Sequence, residues 1–132
     1  MKIFVTGCAG LLGANYTRHL LANGHEVIGI DDLSGGYKAF VTKGENFSFV
    51  KLNLERRKKI VDLFEEHKPE VLVHFAAYAA EGLSPFIRNY NYRNNLICSA
   101  NLRSHSTAYF AIPYGSIGCG LLSSVNGGSC SP

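Results

Sequence analysis

Met1-Lys2-Ile3-Phe4-Val5-Thr6-Gly7-Cys8-Ala9-Gly10-Leu11-Leu12-Gly13 is the stretch on which the fold of this chain turns. Ile3-Phe4-Val5 is a run of β-branched and aromatic residues, the composition of a strand. Thr6 and Gly7 stop it. Gly7, Gly10 and Gly13 follow at intervals of three, and Leu11, Leu12, Tyr16, Leu20 and Leu21 then recur at helical spacing. The pattern predicts a strand over 2–6, a turn over 7–13 and a helix over about 11–23. Asn23-Gly24 ends that helix, because glycine tolerates a left-handed C-cap. Strand, glycine turn, helix is the setting of a phosphate-binding loop. Gly7 lets the chain turn sharply, Gly10 lets a pyrophosphate approach the backbone, and Gly13 lets the helix pack close to the strand. The helix start offers unpaired N–H groups to the anion. The plainer alternative is a glycine-rich turn that holds nothing.

Asp31-Asp32 weighs against that alternative. Residues 26–30 read as a second strand, and the two acids sit at its end. Asp31 lies 18 positions after Gly13, close to the roughly 20 expected for the acid that holds an adenosine ribose. A carboxylate there accepts hydrogen bonds from the ribose hydroxyls and repels a 2′-phosphate, which favours NAD over NADP. No arginine stands beside it to reverse that preference.

The rest of the chain extends the same pattern. Strand, helix, strand at this spacing implies a right-handed parallel crossover. Residues 31–46 form a long polar loop, and residues 47–52 alternate like a third strand. Residues 55–68 predict a helix whose apolar stripe is Ile60, Val61, Leu63 and Phe64, closed by Pro69. Residues 71–77 are a continuous apolar run, as in a strand buried on both faces of a parallel sheet. Its last residues, Phe75-Ala76-Ala77, reach the carboxyl edge, where ligands bind in such sheets. Residues 85–103 predict a further helix. Asn91, Asn94 and Asn95 lie in its middle, where an amide could bond a cofactor or a neighbouring loop, or simply face solvent. From residue 104 the chain turns rich in Ser and Gly, which reads as a flexible tail.

Length and composition bound the function. The 132 residues suit one domain, and 46% hydrophobic with 17% charged residues suits a globular protein. A net charge of +3 is too small to argue for nucleic acid. The cluster Arg56-Arg57-Lys58-Lys59 leads into Asp62, Glu65 and Glu66 and reads as a solvated helix face. No run approaches the roughly 18 apolar residues of a membrane span, and no signal segment opens the chain, so a cytoplasmic location is expected. Cys8, Cys98, Cys119 and Cys130 form no C-x-x-C pair and read as free thiols, with no metal site. Cys8 lies inside the glycine loop, where an alkylating reagent is expected to compete with the cofactor. His74 falls within an apolar strand and reads as a satisfied core residue.

Thr6-Gly7-Cys8-Ala9-Gly10-Leu11-Leu12-Gly13, Asp31 to Gly36, His74-Phe75-Ala76-Ala77 and Asn91 to Asn95 stand in one order. In that order the chain resembles the extended short-chain dehydrogenases/reductases. It is most similar to their NAD-dependent epimerase/dehydratase group, the UDP-glucose 4-epimerases above all. The resemblance covers about residues 1–103. It implies that Gly7, Gly10, Leu11, Leu12 and Gly13 cradle the pyrophosphate and that Asp31, Asp32, Leu33, Ser34, Gly35 and Gly36 hold the adenosine. Asn53 and Leu54 would lie next to the adenine, with Asn53 where family members usually carry Asp. Phe75, Ala76, Ala77, Tyr78 and Ala79 would line the nicotinamide side, with Ala79 where many epimerases carry Lys. Asn94 matches a cofactor-contacting asparagine.

The same resemblance implies a catalytic Tyr followed four residues later by Lys. The residues four after the seven tyrosines, Tyr16, Tyr37, Tyr78, Tyr90, Tyr92, Tyr109 and Tyr114, are Leu20, Val41, Gly82, Asn94, Leu96, Pro113 and Gly118. None is Lys, so no catalytic residue is assigned. The expectation is an α/β Rossmann-type parallel sheet of four strands. It comprises the amino-terminal part only, over residues 1–103, with an irregular tail over 104–132 from a truncated, spliced or frame-shifted product. NAD is the expected cofactor. A nucleotide sugar is expected only in a full-length relative, and neither nucleic acid nor membrane is an expected partner. The open sheet edge suggests self-association or pairing with a full-length homologue, and the small core suggests marginal stability. A non-catalytic NAD-binding module, a non-functional fragment, and a dehydratase or reductase are the alternatives.

Overall fold

The computed structural model describes residues 1–78, 81–83, 85–103 and 109–111. Among them, β1 (Lys2–Thr6), β2 (Glu26–Asp31), β3 (Phe47–Lys51), β4 (Val71–His74) and β5 (Tyr109–Ala111) form one sheet in the order β3-β2-β1-β4-β5. All four pairings are parallel. The order runs outward from β1 in both directions, so the chain switches sides between β3 and β4. The crevice at such a reversal, beyond the carboxyl ends of β1 and β4, is where open α/β sheets bind ligands.

The sheet is buried on both faces because its strands alternate between two apolar sets. Phe4, Ile28, Ile30 and Leu72 face α2 (Arg57–His67) and meet its Ile60, Leu63 and Phe64. Ile3, Val5, Val27 and Val73 face the other way, toward Leu20 and Leu21 at the end of α1 (Leu11–Ala22). Phe4 and Phe64 meet edge to face at 5.0 Å, a geometry that adds about 0.5–1.5 kcal/mol to area burial. Arg56 to Lys59 are exposed, as a solvated helix face should be.

Three expectations need correction, and the helix read from the leucine spacing has a buried face of its own. Leu11 and Leu12 belong to that helix without packing. They are 71% and 61% exposed, and the buried face of α1 is Gly13, Ala14, Thr17 and Leu20. The reason is Gly13 itself: a Cβ there would stand 2.0 Å from Gly7 O, so the helix is rotated to bring its one bare position against the loop. First among the corrections, β4 ends at His74 rather than at residue 77. Its partner β1 ends at Thr6, opposite His74, and residues 75–76 instead cross over the Gly7 turn. Second, the helix expected over 85–103 starts at α3 (Arg88–Asn91) and continues through a wider π turn (Tyr92–Ile97) into α4 (Cys98–Arg103). The Cys98 N–H bonds Arg93 O, five residues back, which defines that turn. Third, the sheet has five strands among the described residues, because Tyr109–Ala111 pairs with β4. That strand lies in the segment read as tail. The rest of the tail, apart from Tyr109–Ala111, lies outside the described residues.

Candidate functional site

The glycine turn begins where β1 runs out of sheet. Gly7 has φ +70°, a left-handed conformation open to glycine and strained for other residues. Its N–H donates to Ile30 O at 2.8 Å, and its carbonyl accepts from Gly10 N–H at 3.0 Å. A Cβ on Gly7 would stand 2.6 Å from the Ala76 backbone nitrogen. Glycine is therefore required twice, by conformation and by the strand-end segment lying over it. Gly10 is the N-cap of α1, with no side-chain cap and no acidic residue in the first turn. The first N–H groups of the helix thus have no side-chain acceptor, the arrangement that suits an external anion.

Asp31 ties the second strand to this turn. Its Oδ2 accepts from Ala9 N–H at 3.0 Å and its Oδ1 from Leu33 N–H at 2.8 Å. A carboxylate has about four acceptor positions, so further hydrogen bonds remain open to a ligand. Leu33 has φ +64°, and Asp32 Oδ1 accepts from Ser34 N–H at 2.8 Å. The loop then folds back, with Tyr37 N–H donating to Ala9 O at 3.1 Å. A Cβ on Gly36 would meet Ala9 Cβ at 2.7 Å. Ala9 is thus held from both sides by the segment after β2.

These elements enclose a cleft of about 150 Å³. That is below the roughly 300–1,000 Å³ of a closed small-molecule pocket, so a dinucleotide would lie along it with one side uncovered. Of the residues expected at the site, Gly7, Gly10, Asp31, Asp32, Ser34, Gly35 and Gly36 line it at one end, with Leu54 beside them. Phe75, Ala76, Ala77, Tyr78 and Asn94 line it as well. Leu11, Leu12, Gly13, Leu33 and Asn53 are not among its lining residues. Gly13 packs against the turn from behind, and Asn53 Oδ1 accepts from Glu55 N–H at 2.8 Å in a local turn. Ala79 lies outside the described residues. Ile30, Leu52 and Cys98 line the cleft and were missed. Cys98 stands four residues after Asn94, on the same helix face, which was the available signal.

Both described thiols are buried, with their protonated forms favoured. Cys8 and Cys98 are free and buried. Burial, with the Asp31 charge second, pushes the Cys8 thiol up to about 12. Burial, with the Glu55 and Asp32 charges after it, does the same to Cys98. The expectation that an alkylating reagent reaches Cys8 in the glycine loop is corrected accordingly. Cys119 and Cys130 lie outside the described residues.

His74 is 2% exposed, and burial holds its imidazole down at about 4. Both ring nitrogens are engaged, Nδ1 with Thr6 Oγ1 at 2.6 Å and Nε2 with Ser99 Oγ at 2.9 Å. It is a core residue with satisfied polar atoms. Of the three asparagines, Asn94 lines the cleft, and Asn95 bonds a neighbouring loop at Tyr78. Asn91 Oδ1 is buried without a partner. Among the described residues, no helix is long and apolar enough to cross a membrane.

Comparison with known proteins agrees with this geometry. The family described as NAD dependent epimerase/dehydratase matches residues 3–112. The UDP-glucose 4-epimerase of Mycolicibacterium smegmatis is 42% identical over 80 residues, 58% of this chain and 25% of that protein. Protein CapI of Staphylococcus aureus is 31% identical over 123 residues, 83% of this chain and 37% of that protein. Among solved structures, the UDP-glucose 4-epimerase of Thermotoga maritima with UDP-glucose superposes with TM-score 0.79 at 30% identity, covering 85% of this chain and 37% of that one. The Thermus thermophilus UDP-glucose 4-epimerase complexed with NAD superposes with TM-score 0.73 at 28% identity, covering 80% and 33%. The chain spans between 25% and 37% of the length of these four relatives. With the match running from β1 to β5 on a shared fold, the chain belongs to the NAD dependent epimerase/dehydratase family.

Proposed function

We propose that this chain is the cofactor-holding portion of a nucleotide-sugar epimerase of the UDP-glucose 4-epimerase type, and that its cleft takes NAD. The observation that carries the reading is the joint between Asp31 and the glycine turn. The Asp31 carboxylate bonds Ala9 N–H while lining the same cleft as Gly7 and Gly10. A ribose acceptor and a bare, uncapped helix start are therefore held in one rigid unit. Gly7 and Gly10, with the first N–H groups of α1, would receive the pyrophosphate. Asp31 would accept from the adenosine ribose, and Ile30, Leu52 and Leu54 offer apolar surface to the adenine. Ala76 and Ala77 would leave room for the nicotinamide between Phe75 and Tyr78. Once bound, NAD supplies a hydride acceptor.

The chain's own residues orient that acceptor but contain no Tyr with Lys four positions on, so no group here is assigned to move the sugar's proton. Binding without turnover is the expected behaviour, with a longer relative as the source of the missing acid–base pair. The free thiols Cys8 and Cys98 suit a reducing compartment such as the cytoplasm. Calorimetry with NAD and NADP tests the reading, together with an assay of the chain, NAD and UDP-glucose. Saturable NAD binding, weaker NADP binding and no sugar conversion are expected. Conversion by the chain alone would contradict the binding-only assignment, and absence of NAD binding by a folded chain would contradict the cofactor assignment.

A further inference from the structure

Three polar side chains, Thr6, His74 and Ser99, form a line of hydrogen bonds across the core that ends on the backbone carbonyl of Asn95, whose own side chain bonds Tyr78. Thr6 ends β1, His74 ends β4, Asn95 sits in the π turn and Ser99 in α4. Thr6, His74 and Ser99 are buried. Thr6 Oγ1 and His74 Nδ1 are 2.6 Å apart, and His74 Nε2 and Ser99 Oγ are 2.9 Å apart. Ser99 Oγ is 2.5 Å from Asn95 O, and Thr6 Oγ1 also accepts from Ala76 N–H at 3.3 Å. At the far end the Asn95 side chain accepts from Tyr78 N–H at 2.7 Å and donates to Tyr78 O at 3.0 Å.

With a neutral His74 ring, the protons on this line have a placement that satisfies every bond named above. A backbone carbonyl only accepts, so the single hydroxyl proton of Ser99 goes to Asn95 O. Ser99 Oγ must then accept from His74 Nε2–H. In a neutral ring the other nitrogen is bare, so Nδ1 accepts from the Thr6 hydroxyl. That leaves Thr6 Oγ1 free to accept from Ala76 N–H. One end of the line is thus Ala76 N–H, and the other is Asn95, which takes the Ser99 proton on its backbone carbonyl and holds Tyr78 with its side chain; Ala76 and Tyr78 both line the cleft.

We propose that Thr6 and His74 are positioning residues: the line from Thr6 through His74 and Ser99 to Asn95 fixes the 76–78 wall of the cleft and thereby sets its affinity for the cofactor. The second half of that statement rests on the NAD reading above. The first half does not. None of the four side chains needs to touch the cofactor for this, and the wall has no other strand to hold it, since β4 ends at His74. A line that only satisfied buried polar atoms would leave cofactor affinity unchanged when one link was cut without disturbing the core.

The test uses the full chain labelled with nitrogen-15. Ring-nitrogen chemical shifts of His74 should report a neutral ring protonated at Nε2. A ring protonated at Nδ1, or at both nitrogens at pH 7, overturns the proposal whether or not any variant folds. Thr6→Val keeps the shape of the side chain and removes the hydroxyl, and Thr6→Ser keeps the hydroxyl. Thr6→Val should speed amide exchange at Ala76 and Tyr78 relative to Val27 and Ile28, and raise the NAD Kd about tenfold, the scale of one buried hydrogen bond lost. Thr6→Ser should restore both toward the starting values. Unchanged exchange at Ala76 and Tyr78 in a folded Thr6→Val chain would overturn the proposal, as would unchanged NAD affinity. If the unsubstituted chain binds no NAD, the cofactor reading fails, and the positioning role stands or falls on the ring nitrogens and the two amides.

Discussion

At the scale of single residues, the site depends on positions where a side chain cannot fit or a proton cannot stay. Gly7 combines φ +70° with a backbone nitrogen 2.6 Å from where a Cβ would be. Gly7→Ala should cost upwards of about 1–2 kcal/mol, the left-handed penalty alone. Gly44→Ala, with nothing within 4 Å, should stay within about 0.5 kcal/mol of the parent chain. Urea unfolding of the two variants measures the contrast. His74 gives a pH signature. Its folded value of about 4 lies below the ordinary 6.5, so the fold prefers the neutral ring. Above pH 6.5 neither state is protonated there, and the group adds no pH dependence. Between pH 6.5 and about 4 the unfolded chain takes up a proton that the folded chain refuses. Stability therefore falls on acidification, by about 3 kcal/mol in all for a shift of this size. Below about 4 the folded ring is protonated too, and the loss levels off. Urea midpoints at pH 7 and pH 4.5 should diverge less in His74→Asn than in the parent. Equal divergence would remove His74 as the cause.

At the scale of elements, legibility in the sequence followed periodicity. β1, β2, β3, α1 and α2 sit within a few residues of their expected places, because each carries an apolar run or an apolar repeat bounded by Gly, Asn, Asp or Pro. The end of β4 did not follow, since Phe75-Ala76-Ala77 is as apolar as the strand before it. What stops the strand is the end of its partner at Thr6, a fact about pairing rather than composition. The π turn at Tyr92–Ile97 leaves no residue-type signature, because a five-residue hydrogen bond uses backbone alone. β5 is three residues long in a Ser- and Gly-rich stretch, too short to show a period. The site divides the same way. Gly7 and Asp31 were readable from spacing along the chain. The pairing of Thr6 with His74 follows from the parallel register of β1 and β4, and no spacing rule supplies it. The elements are joined mainly by the face where α2 covers the sheet. Phe64 meets Phe4 there, and Phe64→Ala should cost about 3–5 kcal/mol in unfolding free energy. A smaller cost would mean that α2 contributes less to the core than its packing implies.

At the scale of the molecule, the described residues form a parallel sheet flanked by helices, with a crevice at its switch point. Everything that crevice offers suits a dinucleotide: bare glycine backbone, an uncapped helix start, an acid beside it and apolar surface on either side. None of the seven tyrosines is followed four positions later by lysine, the spacing that the family resemblance associates with sugar chemistry. The relatives are longer, the matched stretch being 25–37% of their length. On the reading proposed above, Asp31 and the glycine turn form one NAD site. Its most direct measurement is a calorimetric NAD titration of the chain beside Asp31→Ala, with circular dichroism showing that both are folded. Saturable binding by the chain, weakened at least several-fold in Asp31→Ala, is the predicted result. Equal binding by the two folded chains, or none by either, would contradict it.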